Sequence, residues 1–146
     1  MAIKLIAAVD DMGGLSAHGR TPWDEPADRA HFRKLVAGAP LLMGHGTYQA
    51  IGRTMQRGAI VATHHPSLHL PDCTVITDVA GYLRQVQRTG KMLWVIGGAE
   101  VYAAALPFSS EVHLTRIPGS YNCDRFFPSL AGYKGSVITY QLAELL

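Results

Sequence analysis

Met92-Leu93-Trp94-Val95-Ile96-Gly97-Gly98-Ala99-Glu100-Val101-Tyr102 is the stretch that decides the fold. The apolar run Met92 to Ile96 reads as a short buried strand, it runs directly into two glycines, and a helical pattern follows over residues 99–105. A strand that passes through glycine into a helix start is the unit of a parallel sheet, where ligands gather at the carboxyl ends of the strands. The pattern recurs along the chain. Ile3 to Val9, Ala39 to Met43, Ala59 to Thr63, Cys73 to Ile76 and Val112 to Ile117 read as further buried strands, with helical patterns near residues 26–36, 46–51 and 79–88. This alternation predicts an α/β fold, a three-layer sandwich with a mainly parallel central sheet and helices on both faces. Tyr133 to Leu142 is expected to add an antiparallel edge strand. The Gly-rich segment from Asp11 to Arg20 is too irregular for a helix or a strand and reads as a mobile cover beside the helix that follows.

The composition restricts the function. The chain has 146 residues, 13 basic and 11 acidic, with a formal charge of +2. That charge is too small and too dispersed to argue for nucleic acid, and no basic run or basic-aromatic patch appears. No apolar stretch approaches the ~18 residues of a membrane span, and no secretory signal is indicated. Cys73 and Cys123 lack C-x-x-C spacing and read as reduced structural thiols. The expectation is one domain over residues 1–146, cytoplasmic and monomeric, acting on a small molecule without a metal.

Thr21-Pro22-Trp23-Asp24-Glu25-Pro26-Ala27-Asp28-Arg29-Ala30-His31-Phe32-Arg33 places a carboxylate on the apolar face of a helix. Pro26 suits the first turn, and Asp28, His31, Phe32, Leu35 and Val36 share one stripe, whereas Glu25, Arg29 and Arg33 repeat as a surface ion ladder. An Asp on a buried stripe is either a cap for free backbone amides or a group kept for chemistry. Gly44-His45-Gly46-Thr47 and Gly97-Gly98-Ala99 are either phosphate-facing turns or simply tight strand-to-helix junctions. There is no G-x-G-x-x-G and no G-x-x-x-x-G-K-[ST], so a nucleotide site here is of another kind than the Rossmann or P-loop ones.

Taken in order, the Trp23 and Asp28 segment, Met43-Gly44-His45-Gly46-Thr47-Tyr48-Gln49-Ala50-Ile51-Gly52-Arg53, Trp94 to Tyr102, His113-Leu114-Thr115-Arg116-Ile117 and Asp124-Arg125-Phe126-Phe127-Pro128 are spaced as in dihydrofolate reductases. The chain resembles that family over roughly residues 3–130. The resemblance implies a dihydrofolate-reductase-like sandwich and NADPH-dependent reduction of 7,8-dihydrofolate to 5,6,7,8-tetrahydrofolate. It also implies that the C-terminal edge strand is shortened or missing, since little chain follows Leu142.

The resemblance assigns roles by position. Asp28 matches the carboxylate that binds the pterin and supports its protonation, Thr115 the threonine that bonds this acid, and Trp23 the tryptophan that holds an active-site water. Ile6, Phe32, Ile51 and Ile96 match apolar walls of the substrate cleft. Arg57 matches the arginine that grips the glutamate tail, with Arg53 as the alternative because the intervening loop is one residue short. On the cofactor side, Ala8, Leu15, Ser16, Arg20 and Thr21 would line the nicotinamide, with Tyr102 beside the ring. His45, Gly46, Thr47, Thr63, His64 and Thr77 would hold the phosphates and adenosine. Gly97, Gly98, Ala99, Glu100 and Val101 complete that set, and a cis peptide is implied between the two glycines. Ser16, Thr21, His45 and Arg29 depart from the usual family residues. Two other readings are a pyrimidine reductase of riboflavin synthesis, which shares fold and cofactor, and a non-catalytic nucleotide-binding module.

Overall fold

The computed structural model describes residues 2–51 and 58–146. Strand β1 (Ile3–Val9) leads through a loop with the short β2 (Gly14–Ser16) to α1 (Pro26–Val36). Then come β3 (Leu41–Gly44), α2 (His45–Ile51), β4 (Ile60–Ala62), β5 (Thr74–Ile76), α3 (Val79–Thr89), β6 (Leu93–Val95) and α4 (Ala99–Ala105). A turn of 3-10 helix, β7 (Glu111–Arg116), β8 (Arg125–Phe126), β9 (Ser136–Gln141) and α5 (Leu142–Leu145) follow. No helix among the described residues is long and apolar enough to cross a membrane.

Seven strands form the main sheet in the order β5-β4-β3-β6-β1-β7-β9. Each neighbouring pair is parallel. Side chains alternate across a strand, and β1 shows it: Leu5, Ala7 and Val9 join the core beneath α3 and α4, with Leu83, Val86, Val101 and Ala105. Ile6 points the other way and packs with Leu41, Met43, Val61, Trp94 and Val36 beneath α1 and α2. Leu5, Leu41, Leu42 and Met43 have no exposure, and full burial of such side chains stabilises by about 1.5–3 kcal/mol each. Asp78 caps α3 by accepting from the Gly81 amide at 3.0 Å, and Gly90 ends that helix at φ +68°.

Two expectations are corrected. Tyr133 to Leu142 does hold the edge strand, but β9 runs parallel to β7, with Glu111 opposite Ser136 and Arg116 opposite Gln141. The chain returns to the amino end of β7 before pairing. Phe127, Leu130 and Tyr133 pack along the core on the way, and the Ser136 amide donates to the Ser110 carbonyl at 3.1 Å. Gly135 permits that approach, since a Cβ there would lie 2.7 Å from the Ser110 oxygen. The segment Asp11 to Arg20 is not wholly irregular either, because β2 pairs antiparallel with β8.

Asp10 organises this loop. It is 1% exposed, and its Oδ1 accepts from the Met12 and Gly14 amides at 2.9 and 2.8 Å. Its Oδ2 accepts from the Tyr121 amide at 3.0 Å and the Cys123 thiol at 3.5 Å. Gly14 must lack a side chain, as a Cβ would meet Cys123 Sγ at 2.6 Å and Asp10 Oδ1 at 2.9 Å. Burial pushes the Asp10 carboxyl up, but the hydrogen bonds together outweigh it and hold the group below the ordinary carboxylate range. The same burial, with the bond to Asp10, pushes the Cys123 thiol up.

A carboxyl with a lowered folded-state pKa stabilises the fold above its unfolded value, about pH 4, and this contribution is lost as pH falls through the folded value. Asp10→Asn should therefore destabilise the protein by about 3 kcal/mol near neutral pH. The difference from wild type, measured by urea denaturation, should hold down to about pH 5 and shrink as pH falls below about 4.

Candidate active site

The carboxyl ends of β1, β3, β4 and β6 open into one groove of about 1440 Å³, walled by α1, α2, α4 and the loop after β1. Pockets for a single small ligand span about 300–1,000 Å³, so the groove has room for two ligands side by side. Asp28 lies on one wall, on the apolar stripe of α1 that sequence periodicity predicted. Its backbone amide bonds the Glu25 carbonyl at 3.1 Å, and the N-cap residue Glu25 makes no side-chain cap. Asp28 is therefore not the cap, and its carboxylate accepts from the Thr115 hydroxyl. Thr115, from β7, is 2% exposed and reaches the site only through this bond. Burial raises the Asp28 carboxyl above its ordinary range against the opposing effects of Thr115, His31 and Arg29. A half-buried acid with one protein donor has acceptor capacity left for a ligand that brings its own N–H groups.

Ile6, Phe32, Ile51 and Ile96 surround Asp28 as the apolar part of the groove, and Trp23 lines its mouth, edge-on to Tyr121 with ring centres 5.3 Å apart. Arg53 and Arg57 lie outside the described residues. The surface ladder of α1 is rearranged, because Arg29 pairs with Asp24 instead of Glu25.

The remaining length of the groove is lined by backbone and small polar side chains. Ala8, Leu15, Ser16, Arg20 and Thr21 form one side, and Tyr102 lies across from them. The Tyr102 hydroxyl, fully buried and held protonated by that burial, donates to the Ile6 carbonyl at 2.6 Å. The Gly44 amide bonds the Gly97 carbonyl at 2.8 Å, which ties the ends of β3 and β6 together beneath a cis peptide between Gly97 and Gly98. His45, Gly46, Thr47, Thr63, His64 and Thr77 line the far end together with Ala99, Glu100 and Val101. There His64 Nε2 lies 2.6 Å from Glu100 Oε1.

Sequence reasoning missed four neighbours. Arg125 lines the groove from β8; its motif was visible, but not the pairing of β8 with β2 that carries it there. Asp124 accepts from the His18 amide at 3.1 Å, and its own amide donates to the Ser16 carbonyl at 2.9 Å, anchoring the loop that covers the groove. Asp10 left no local signal, since its donors come from both nearby and distant parts of the chain. His31 was placed on the right stripe and given no role.

The family model described as dihydrofolate reductase matches residues 2–141. The dihydrofolate reductase of Bacillus subtilis is 32% identical over 127 residues, covering 86% of this chain and 75% of that protein. Dihydrofolate reductase type A13 of Escherichia coli is 30% identical over 143 residues, covering 97% and 87%. Among solved structures, dihydrofolate reductase from Enterococcus faecalis complexed with NADP(H) and RAB-propyl superposes with a TM-score of 0.79 at 25% identity, covering 88% of this chain and 77% of that one. By sequence and by fold, this chain belongs to the dihydrofolate reductase family.

Proposed function

We infer that the protein catalyses the NADPH-dependent reduction of 7,8-dihydrofolate to 5,6,7,8-tetrahydrofolate. The observation that carries this reading is the Asp28 and Thr115 pair, set among apolar side chains in a groove whose other half is built of backbone, hydroxyls and imidazoles. Asp28 holds the ring through a ring nitrogen and an exocyclic amino group, the complementary donors for its free acceptor positions. Thr115 orients the carboxylate. A charged Asp28 favours a protonated ring beside it, so binding assists the protonation that the reduction requires. Trp23 would hold an active-site water at the mouth, and Ile6, Phe32, Ile51 and Ile96 would exclude bulk solvent around the ring. Arg57, with Arg53 as the alternative, would hold the glutamate tail.

The residues present fit NADPH. A Cβ on Gly46 would enter open space, and one on Gly98 would meet only Thr47 Oγ1 at 3.7 Å, so bare backbone faces the groove at both strand ends. Thr47, Thr63, Thr77, His45 and His64 offer donors for phosphate and ribose oxygens, with Gly97, Ala99, Glu100 and Val101 beneath them. NADPH supplies the hydride. Ala8, Leu15, Ser16, Arg20, Thr21 and Tyr102 enclose the part of the groove next to Asp28, where that transfer takes place. The pyrimidine reductase reading is not favoured, since a phosphorylated substrate calls for more basic residues around Asp28. This activity fits a cytoplasmic monomer without nucleic-acid partners, and sedimentation would test the oligomeric state.

Purified protein should oxidise NADPH only when dihydrofolate is supplied. Asp28→Asn keeps the shape of the side chain and removes its charge, so it should retain the fold by circular dichroism and lose about 10²- to 10³-fold in hydride transfer near neutral pH. Near-normal turnover of that variant would refute the assignment of Asp28.

The cofactor end makes a second prediction. His45 and His64 line the part of the groove proposed for the phosphates, where an imidazole N–H can donate to a phosphate oxygen. His45→Ala with His64→Ala should therefore weaken NADPH by about tenfold and leave NADH, which lacks the 2'-phosphate, little changed, as dissociation constants for both cofactors would check.

A further inference from the structure

One contact at the far end of the groove joins elements that are not neighbours in the sheet. His64 follows β4, Glu100 stands in the first turn of α4 after β6, and His64 Nε2 lies 2.6 Å from Glu100 Oε1. β3 lies between those two strands, so the pair bridges strands about 10 Å apart and spans the junction Gly44-His45-Gly46-Thr47, where β3 passes into α2. Both ends of the span are anchored. The Thr63 amide donates to the Ile76 carbonyl at 3.0 Å and its hydroxyl accepts from the His65 amide at 3.1 Å, which sets the turn that carries His64. On the other side α4 packs on the end of β3, where a Cβ on Gly44 would lie 3.2 Å from Val101 Cγ2. The side chains of His64 and Glu100 are themselves exposed, and an exposed pair is weak enough to exchange partners.

The contact puts a carboxylate where the phosphates of the cofactor are proposed to lie, and little there offsets it. Among the described residues lining the groove the arginines are Arg20, Arg29 and Arg125. Arg20 follows β2, Arg125 belongs to β8, and Arg29 on α1 pairs with Asp24. The far end is left with imidazoles and hydroxyls, and Glu100 holds one of those imidazoles. We propose that Glu100 is a specificity-determining residue for the cofactor: in the free protein its carboxylate occupies His64, and the 2'-phosphate of NADPH takes that place on binding. The proposal rests on the reading that NADPH lies along this end with His64 at a phosphate. Bringing the phosphate in exchanges one anion on the ring for another, and the displaced carboxylate stays nearby as a like charge. NADH has no 2'-phosphate to offer in exchange and leaves the pair closed. Glu100 therefore opposes NADPH alone, and it narrows the preference for NADPH over NADH that the imidazoles would otherwise give.

The test measures dissociation constants of NADPH and NADH, by quenching of protein fluorescence, for the full chain as wild type, Glu100→Gln, His64→Ala and the double variant at one pH and ionic strength. Glu100→Gln keeps the shape of an exposed side chain and removes its charge, so it should tighten NADPH by about three- to tenfold and leave NADH within about twofold. In the His64→Ala background the same substitution should give little of that gain, because the exchange needs the ring. Unchanged or weaker NADPH binding in Glu100→Gln would overturn the proposal. An equal gain without His64 would overturn it as well, since Glu100 would then act only as a repulsive charge. So would a loss of NADH affinity in Glu100→Gln, which would assign the carboxylate to the ribose hydroxyl. A wild type that binds neither dinucleotide would defeat the cofactor reading and the proposal with it, whereas the other three results count against the proposal alone.

Discussion

Parallel alignment of the seven main strands is the constraint on which the rest of the molecule depends. A parallel neighbour is reached only by a crossover, and crossovers cover the faces of the sheet. Here α1 and α2 cover one face and α3 and α4 the other, which is why the strands are apolar on both sides and why two clusters of core residues exist, back to back. The same alignment brings strand carboxyl ends to one side of the molecule. The groove is therefore not an addition to the fold. It is the gap left where the crossovers leave the strand ends, lined by whatever the turns present there, and the turns after β3 and β6 present glycine.

Two aspartates show how that arrangement controls charge. Asp10 and Asp28 both lose hydration, and burial pushes both carboxyls upward. At Asp10, three backbone amides and a thiol reverse the effect and favour an anion that ties the loop after β1 to Tyr121 and Cys123. At Asp28 a single hydroxyl does not, and the acid stays poised to respond to a ligand. Four donors face the Asp10 carboxylate and one the Asp28 carboxylate. The loop that lines the groove is fastened by the first aspartate, and in the proposed reaction the second holds the ring, so one residue type would serve structure and chemistry within the same site.

Most of the fold was legible because its signals are local. The periodicity of residues 26–36 places α1 with its bounds unchanged, and the glycine junction after Met92 to Ile96 places both β6 and α4. The direction of β9 was not legible, since alternation in residues 136–141 is the same for a parallel and an antiparallel neighbour; the packing of Phe127, Leu130 and Tyr133 decides it. For the site, Asp28 was visible as a charged residue on an apolar stripe. Thr115 followed from the resemblance, as nothing in a β-branched strand residue announces a bond to a carboxylate. Two of the four donors to Asp10, from Tyr121 and Cys123, and the Tyr140 ring against His31 come from chain segments more than a hundred positions away, and no window of sequence contains them.

The groove also explains why a small-residue strand lies at its centre. Hydride transfer needs donor and acceptor carbons about 3–3.5 Å apart with water excluded. Ile6, Ala7 and Ala8 line the groove between the Asp28 wall and the Gly97 junction. Ala8, on the same side of β1 as Ile6, leaves room for the two rings of the proposed reaction, while Ile6 supplies the apolar contact on the Asp28 side. The Ile6 carbonyl at this point is engaged by the Tyr102 hydroxyl, so that backbone oxygen already has a protein donor and does not depend on water at the place where the two rings must meet. Backbone satisfaction by a buried tyrosine and the small side chain of Ala8 thus serve the same end in the proposed reaction: a junction that needs no water between the half of the groove that carries Asp28 and the half lined by backbone and hydroxyls.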